Sequence, residues 1–403
     1  MAPSAPSKSI SELFALRTQI LALVRSESST RSSITSLAKQ LISGASSLQT
    51  LIEEEAEKDE EEGEDRDITD EELLRLTALG IKDEDQWTEH VKHAVVPLLR
   101  GWGYYELSCA GPEEEEEEEG PPTKKRRMDS GKGKGEEEEE ETDGLALLGK
   151  ALKDYEAAMD VINEDPDSSM IVVVLASTIL KANCEMAATL FLNEDKDAIK
   201  FATTTLSEAS GRLESVAEAF SDASAEDLKL FIDWAVDPMG IFVEAVGAVL
   251  MVLDAVESVS KFRNKEEPLA QIMECIKEAA NVPTAYESED AVIANKWRLQ
   301  IAVLRADVDS NKAGWKMEDW EAGKKSEEVA KKTLEAVETS IESLKAAIEV
   351  VKTVTGTSGG PIEKEELEKL CEAYQQAIKL ANPGSEKKKA FIVELAEIEA
   401  DLE

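Results

Sequence analysis

The sequence predicts an all-α protein: an irregular tetratricopeptide-like array of helices, interrupted by a long, disordered acidic insertion. Apolar residues recur every three or four positions through most of the chain, which is the spacing of one helix face. Alanine, leucine, glutamate and lysine dominate the second half, and all four are good helix formers. No segment shows the alternation of apolar and polar residues that is typical of strands, so we expect helices throughout.

The first helices are indicated by a capping pattern and by apolar spacing. Ser9 and Glu12 stand three residues apart, as in a capping box, and predict the start of a helix over 13–24. A second helix is predicted over 33–55, where leucines and isoleucines recur at helical spacing. Its end should merge into an acidic loop near 53–67, because runs of like charge favour solvated chain.

Two more helices complete the predicted N-terminal region, which covers 1–110. One spans 70–79 and the other spans 83–105. Pro97 lies within the second of them. Because proline lacks the amide hydrogen that an interior helix position donates, we expect a kink or break there.

A change of composition marks residues 111–143, where two runs of glutamate flank a basic stretch. Nothing in this segment can form an apolar core, so it is predicted to be a disordered linker. Its basic centre follows two prolines and consists of Lys124, Lys125, Arg126 and Arg127. This pattern predicts a nuclear import signal, bound by an import receptor. The alternative is a basic cluster that only balances its acidic neighbours.

The central array, 144–355, is predicted to be helix after helix, and a flexible link at 356–361 separates it from C-terminal helices within 362–403. Prolines, glycines and capping residues between the apolar segments set the expected ends. The predicted helices are 145–162, 170–191, 195–220, 224–235, 238–262, 268–280, 288–307, 325–354, 364–380 and 387–402.

The longest predicted helix, 325–354, has an apolar stripe along one face. The stripe consists of Val329, Leu334, Val337, Ile341, Leu344 and Ile348. We expect it to pack in the interior of the array. The alternative is a scaffold protein in which the stripe pairs with a helix of another molecule. The exposure of these side chains distinguishes the two.

A repeat is half visible on the two sides of the insertion. The residue order of a tetratricopeptide repeat is visible here: Trp102 and Gly103 come first, the alanines and tyrosine of 151–158 follow, and Pro166 ends the pattern. Glycine and alanine let two helices approach closely, and the aromatic ring fills the space between them. No regular period is present, so an irregular helical bundle is an open alternative.

The charge balance indicates the kind of partner. The chain has 86 acidic residues against 45 lysines and arginines, a formal net charge of −41. Such a charge repels nucleic acid and anionic membranes and attracts basic proteins such as ribosomal proteins and histones. The acidic runs either capture such clients or only keep the chain soluble. The apolar stretch 239–256 contains Glu244 and Asp254, and we interpret it as a buried helix rather than a membrane span.

No residue pattern indicates catalysis, a cofactor or a metal. The two histidines, His90 and His93, share a helix face but lack the further ligands of a metal site. No phosphate-binding lysine loop, nucleophile elbow or zinc-protease motif is present. The four cysteines form no CxxC pair, and we interpret them as reduced core thiols of a nuclear or cytosolic protein. They are Cys109, Cys184, Cys275 and Cys371. We therefore expect a protein that is not an enzyme.

The order of these segments resembles that of the fungal enhancer of translation termination family. The resemblance rests on WGYYELSCAG at 102–111, on 144–180 after the insertion, and on 331–350 and 371–398 near the C-terminus. This family includes the negative regulator of a prolyl-hydroxylase-like dioxygenase. The resemblance implies an all-helical nuclear adaptor that binds the dioxygenase and a small-subunit ribosomal protein and affects translation termination. A basic N-terminal tail is expected in the family, whereas the basic cluster of this chain is internal.

The sequence thus predicts a nuclear adaptor or escort for a basic protein. The alternative is an acidic, tetratricopeptide-like histone chaperone, since some of these chaperones also interrupt a repeat array with an acidic insertion. The identity of the basic client, ribosomal protein or histone, distinguishes the two.

Overall fold

All regular structure in the described part of the chain is helical, as the sequence predicts. The computed structural model describes residues 9–24, 31–62, 89–110, 144–163, 169–193, 195–233, 235–260, 266–323, 326–356 and 360–402. These ranges contain fourteen helices and no strand. The predicted disordered linker at 111–143 and the helix predicted over 70–79 lie outside the described residues.

The helices are connected mostly by short segments, and most of their bounds agree with the predicted ones to within a few residues. In chain order they are α1 (Ile10–Val24), α2 (Arg31–Glu62), α3 (Glu89–Ala110), α4 (Gly144–Asn163), α5 (Ser169–Leu192), α6 (Ala198–Ser221), α7 (Ala225–Asp233), α8 (Pro238–Ser260), α9 (Glu266–Ala279), α10 (Val282–Tyr286), α11 (Ala291–Ala322), α12 (Glu327–Thr355), α13 (Pro361–Leu380) and α14 (Glu386–Leu402). The short helix α10 has no counterpart among the predicted elements.

The start of α1 confirms the predicted capping box. The amide of Glu12 donates to Oγ of Ser9 at 3.2 Å, and the amide of Ser9 donates to Oε2 of Glu12 at 2.7 Å. Amides in the first turn of a helix have no preceding carbonyl to bind, so these two side chains supply the missing acceptors.

Two predicted boundaries are wrong, and the break expected at Pro97 is absent from the described helix. α2 continues to Glu62, well into the acidic loop predicted near 53–67, because glutamate and alanine favour helix and extending an existing helix needs no new nucleus. α11 continues past its predicted end at 307 to Ala322, where burial of Trp315 stabilises the added turns. α3 runs unbroken through Pro97, since the side chains around it are buried and their packing offsets one lost hydrogen bond.

The first compact unit comprises Met1–Asp195 and Leu230–Val236. Within it, α3 packs against α1, α2, α4 and α5. Arg100 of α3 connects three of these helices. Its guanidinium donates to both carboxylate oxygens of Asp154 in α4, at 2.6 and 2.8 Å, and to Oε1 of Gln49 in α2 at 2.6 Å. This bidentate pair fixes the register of α2, α3 and α4.

The second compact unit comprises Lys196–Lys229 and Asp237–Glu403, and α11 is its central helix. α11 packs against α8, α9, α10, α12 and α13, and α13 packs against both α12 and α14. The apolar stripe of α12 lies in this core. Val337, Ile341, Leu344 and Ile348 are buried, Leu334 is half-buried, and only Val329 is exposed. The stripe is therefore used inside the molecule, which argues against pairing with another molecule's helix.

Two of the described helices are long and apolar enough to cross a membrane, judged by length and composition alone. They are Met170–Leu192 in α5 and Pro238–Val256 in α8, and 72% and 56% of the residues in their most apolar windows are buried inside the protein. Core helices of soluble proteins meet the same criterion, so these segments are weak evidence for a membrane span.

Candidate binding surfaces

The residues that the sequence singles out for chemistry do not form a site in the described structure. The predicted import signal, Lys124 to Arg127, lies outside the described residues. His90 and His93 lie in α3, but the structure describes only their backbone and not their side chains. Among described residues, no group of three or more histidine, cysteine or acidic side chains is arranged to hold a metal ion.

Three of the four cysteines are buried, as predicted for core thiols: Cys184, Cys275 and Cys371. Burial raises the pKa of both Cys184 and Cys275 to about 12. These two thiols therefore stay protonated at neutral pH and are poor nucleophiles. Cys109, in the last turn of α3, is exposed, which contradicts its interpretation as a core residue.

The acidic character of the protein is not confined to the two acidic runs. Residues 53–67 hold eleven acidic and two basic side chains, and residues 111–143 hold fifteen acidic and six basic side chains. The net charge of the whole chain is −41, so more than half of it lies outside these runs. The helical part of the protein is itself strongly acidic.

Five of the ten lysines in α12, α13 and α14 connect one helix to another. In each of these five pairs, the ammonium group of a lysine in α12, α13 or α14 forms a salt bridge with a carboxylate on a different helix. The pairs are Lys345–Glu394, Lys352–Glu363, Lys369–Asp307, Lys379–Glu321 and Lys387–Glu338. Lysines held this way contribute less positive charge to a partner than free lysines would, so the surface field is dominated by the remaining carboxylates.

Lys369 is the most highly connected of these lysines. Its Nζ lies 2.7 Å from Asp307 in α11 and 2.8 Å from Glu366, whose side chain is only 1% exposed. Burial alone lowers the pKa of Lys369, but the hydrogen bonds to these carboxylates outweigh it and raise the pKa overall. For the Glu366 carboxyl the effect of burial has the opposite sign: burial raises its pKa, and the nearby ammonium group of Lys369 lowers it, so that the pKa stays raised overall.

Replacing Lys369 with methionine should therefore destabilise the protein by about 1–2 kcal/mol at neutral pH, because it leaves the Glu366 carboxylate buried without a cation. The effect is below that of a fully buried pair because Lys369 is 29% exposed. A carboxyl whose pKa is raised in the folded state destabilises that state when ionised, so the loss should shrink as the pH falls. Guanidinium unfolding near pH 7 and pH 5 measures this. Lys364→Met, at an exposed position of α13, is the control, and an equal loss in both variants would contradict the expectation.

Three glutamates of α12 form an exposed row that we call the acidic stripe: Glu335, Glu342 and Glu349. Their seven-residue spacing places them on one face of the helix over about 21 Å, at a rise of ~1.5 Å per residue. None of them forms a salt bridge within the described part of the protein. The acidic stripe is therefore free to attract a basic partner.

A groove with a volume of about 800 Å³ lies between α9, α11 and α12 of the second unit. Each wall is one helix face, with lining residues three or four positions apart. The apolar lining includes Met273 and Ile276 of α9, Ile301 and Ala302 of α11, and Ala346 and Val350 of α12. A volume of this size is typical of binding pockets in proteins.

Most polar groups that line this groove already have partners within the second unit. Ser343 donates to the Asp309 carboxylate at 2.5 Å, and Thr339 donates to the carbonyl of Glu335 at 3.0 Å. Lys277 pairs with Glu274 at 2.6 Å, and Arg298 pairs with Glu287 at 2.5 Å. A ligand in this groove would therefore make mostly apolar contacts, because few of the lining polar groups lack a partner.

Both surfaces were missed by reasoning from the sequence. The acidic stripe repeats every seven residues and could have been found by plotting α12 as a helix. The groove has no such local signal, because its walls come from three separate segments of the chain. Comparison with models of known protein families and with curated proteins finds no match for this sequence.

Proposed function

We propose that this protein is a non-enzymatic nuclear adaptor or escort that binds a basic partner protein. The carrying observation is the charge arrangement of the folded helices. Lysines such as Lys345 and Lys369 are held in interhelical salt bridges, while Glu335, Glu342 and Glu349 are exposed and form no salt bridge with a described residue. A surface of this kind accelerates the encounter with a cationic protein and screens the cation's charge in the complex.

The resemblance to the enhancer of translation termination family supports the choice of partner. On that proposal the client is a basic small-subunit ribosomal protein, a prolyl-hydroxylase-like dioxygenase is a further partner, and the adaptor is linked to translation termination. The helices would form a tetratricopeptide-like array, and Lys124 to Arg127 would bind an import receptor.

Affinity purification from native nuclear extract tests the proposal. The tagged full-length protein is incubated at about 0.15 M salt and washed at that concentration or at severalfold higher salt, where exposed charges are screened. Retention of one basic ribosomal protein, or of a dioxygenase, after the high-salt wash is the expected result. Recovery of core histones instead would favour the histone chaperone, and loss of every partner at high salt would contradict a shaped binding site.

The acidic stripe should carry a measurable share of this binding. Changing Glu335, Glu342 and Glu349 together to glutamine should weaken binding of a purified basic ribosomal protein by about tenfold at about 0.15 M salt, because three favourable charge contacts are removed. Fluorescence anisotropy with the labelled ribosomal protein measures the dissociation constants.

The matched control removes three exposed glutamates of α6 instead: Glu208, Glu214 and Glu218. Both triple variants change the net charge equally, so any difference between them reports position rather than total charge. Equal weakening by the two would show that binding depends on diffuse charge and not on the stripe.

A further inference from the structure

The groove between α9, α11 and α12 has the length of a helix-binding site. Its α12 wall runs from Thr339 to Val350, which is about 16 Å at a rise of ~1.5 Å per residue. This distance corresponds to about three helical turns. A partner helix that lays one face in a groove uses anchors at positions i, i+3, i+4 and i+7, which cover about two turns. The groove therefore accommodates such a set of anchors.

The chemistry of the walls favours a helix over an extended peptide. The walls are helices, whose backbone groups are already hydrogen-bonded to one another, and the hydroxyls of Ser343 and Thr339 are used within the second unit. An extended peptide in this groove would leave its own amides and carbonyls without partners, at a cost in free energy. A helix satisfies its backbone internally and presents only side chains to the apolar lining.

Charge complementarity defines the partner further. Arg305 on the α11 wall and Glu342 on the α12 wall are exposed, and neither forms a salt bridge with any described residue. They stand on different helices of the groove, whereas the other charged lining residues, Glu274, Lys277 and Arg298, already have salt-bridge partners. A helix bound in the groove would come within reach of both residues. A carboxylate of the bound helix near Arg305 and a basic side chain near Glu342 would complete both pairs.

We propose that this groove binds an amphipathic helix of a partner protein, whose apolar stripe is flanked by an acidic residue that pairs with Arg305. The site goes beyond the proposed function, because its ligand is held by apolar contact and not by the attraction of a basic client to the acidic surface. The two ligands would differ in chemistry, and their binding surfaces would share Glu342, which belongs to the acidic stripe and also lines the groove.

Two synthetic peptides of about fifteen residues test the proposal with the full-length protein. Both carry leucines at i, i+3, i+4 and i+7 on a helix-forming background, and one has glutamates on one flank where the other has glutamines. Fluorescence anisotropy at about 0.15 M salt measures their dissociation constants, because at this salt concentration the distant charges of the protein are largely screened.

Three variants separate groove contacts from general charge effects. Ala346→Trp places a large ring in the groove from the exposed side of α12, and it should weaken both peptides by about tenfold or more. Arg305→Glu should weaken the glutamate peptide by about tenfold and the glutamine peptide by less than about twofold. Lys331→Glu makes the same charge change at an exposed position of α12 that does not line the groove, and it should change neither constant.

Several outcomes would overturn the proposal. These are no saturable binding of either peptide, unchanged binding to Ala346→Trp, and equal effects of Arg305→Glu and Lys331→Glu. A saturable site for a small apolar dye that Ala346→Trp abolishes and that neither peptide blocks would identify the groove as a small-molecule site instead. Far-UV circular dichroism and thermal melting of each variant show whether it is folded.

Discussion

Replacing Trp297 with alanine should lower the free energy of unfolding by about 4 kcal/mol, the largest effect that we expect from one substitution. Trp297 of α11 is fully buried, and its indole N–H donates to Oδ1 of Asp237 at 2.9 Å. Its ring packs on Tyr286 of α10 with centroids 5.1 Å apart. Removing a buried aromatic side chain loses both its apolar burial and the contacts around the cavity that it leaves.

Asp237 links Trp297 to other elements of the second unit. The same carboxylate accepts the amide of Gly240 at 3.0 Å, in the first turn of α8, and pairs with Lys296 of α11 at 2.5 Å. These bonds hold the start of α8 against α11. Loss of Trp297 therefore loosens a contact between three helices, although Asp237 keeps other partners.

Trp297→Phe is the control for this prediction. It keeps most of the aromatic packing and removes the N–H donor, and because Asp237 is still paired it should cost only about 1–2 kcal/mol. Guanidinium unfolding, followed by far-UV circular dichroism, measures both variants. A loss no larger for alanine than for phenylalanine would show that the ring contributes little to the packing of α10 and α11.

Replacing Gly101 with alanine should destabilise the first unit by about 2–3 kcal/mol. A Cβ atom at this position of α3 would lie 2.4 Å from Cε1 of Tyr155 and 3.2 Å from the carbonyl oxygen of Ala151, both in α4. Tyr155 is fully buried, so its ring can move only by shifting its neighbours. Overpacking of this kind outweighs the better helix propensity of alanine, which by itself favours the variant by about 1 kcal/mol.

Gly149→Ala is the matched control, because the same substitution there should have the opposite sign. Gly149 lies on the exposed side of α4, and a Cβ atom would meet nothing within 4 Å. Only the helix propensity remains, so this variant should gain about 0.5–1 kcal/mol. Melting temperatures of the two variants decide the matter, and a similar shift in both would mean that α3 and α4 are less closely packed than described.

The close packing of α3 is also where sequence reasoning was most informative. Trp102 and Gly103 suggest a close helix contact from their residue types alone. In the structure, a Cβ on Gly103 would lie 2.6 Å from Cγ1 of Ile42, so α3 meets α2 here and meets α4 at Gly101. The residue types could be interpreted from the sequence because only glycine allows such an approach. Which helices meet there required the tertiary structure.

The groove shows why the candidate site was not predictable. Its lining is divided among α9, α11 and α12, and in each helix the lining residues resemble an ordinary, partly apolar surface. Arg305 and Glu342 are two of many charged residues in this sequence. They line one groove only because α9 and α12 both pack against α11.

The sequence by itself determined the helical class, most helix positions, the capping box at Ser9 and Glu12, and the acidic balance of −41. These properties depend on residues within about one helical turn or on composition, so they can be derived locally. Only the tertiary structure decided which lysines form interhelical salt bridges, which glutamates of α12 have no such partner among the described residues, and where a groove opens. Those features depend on contacts between residues far apart in the chain, and no local pattern records which helices will be neighbours.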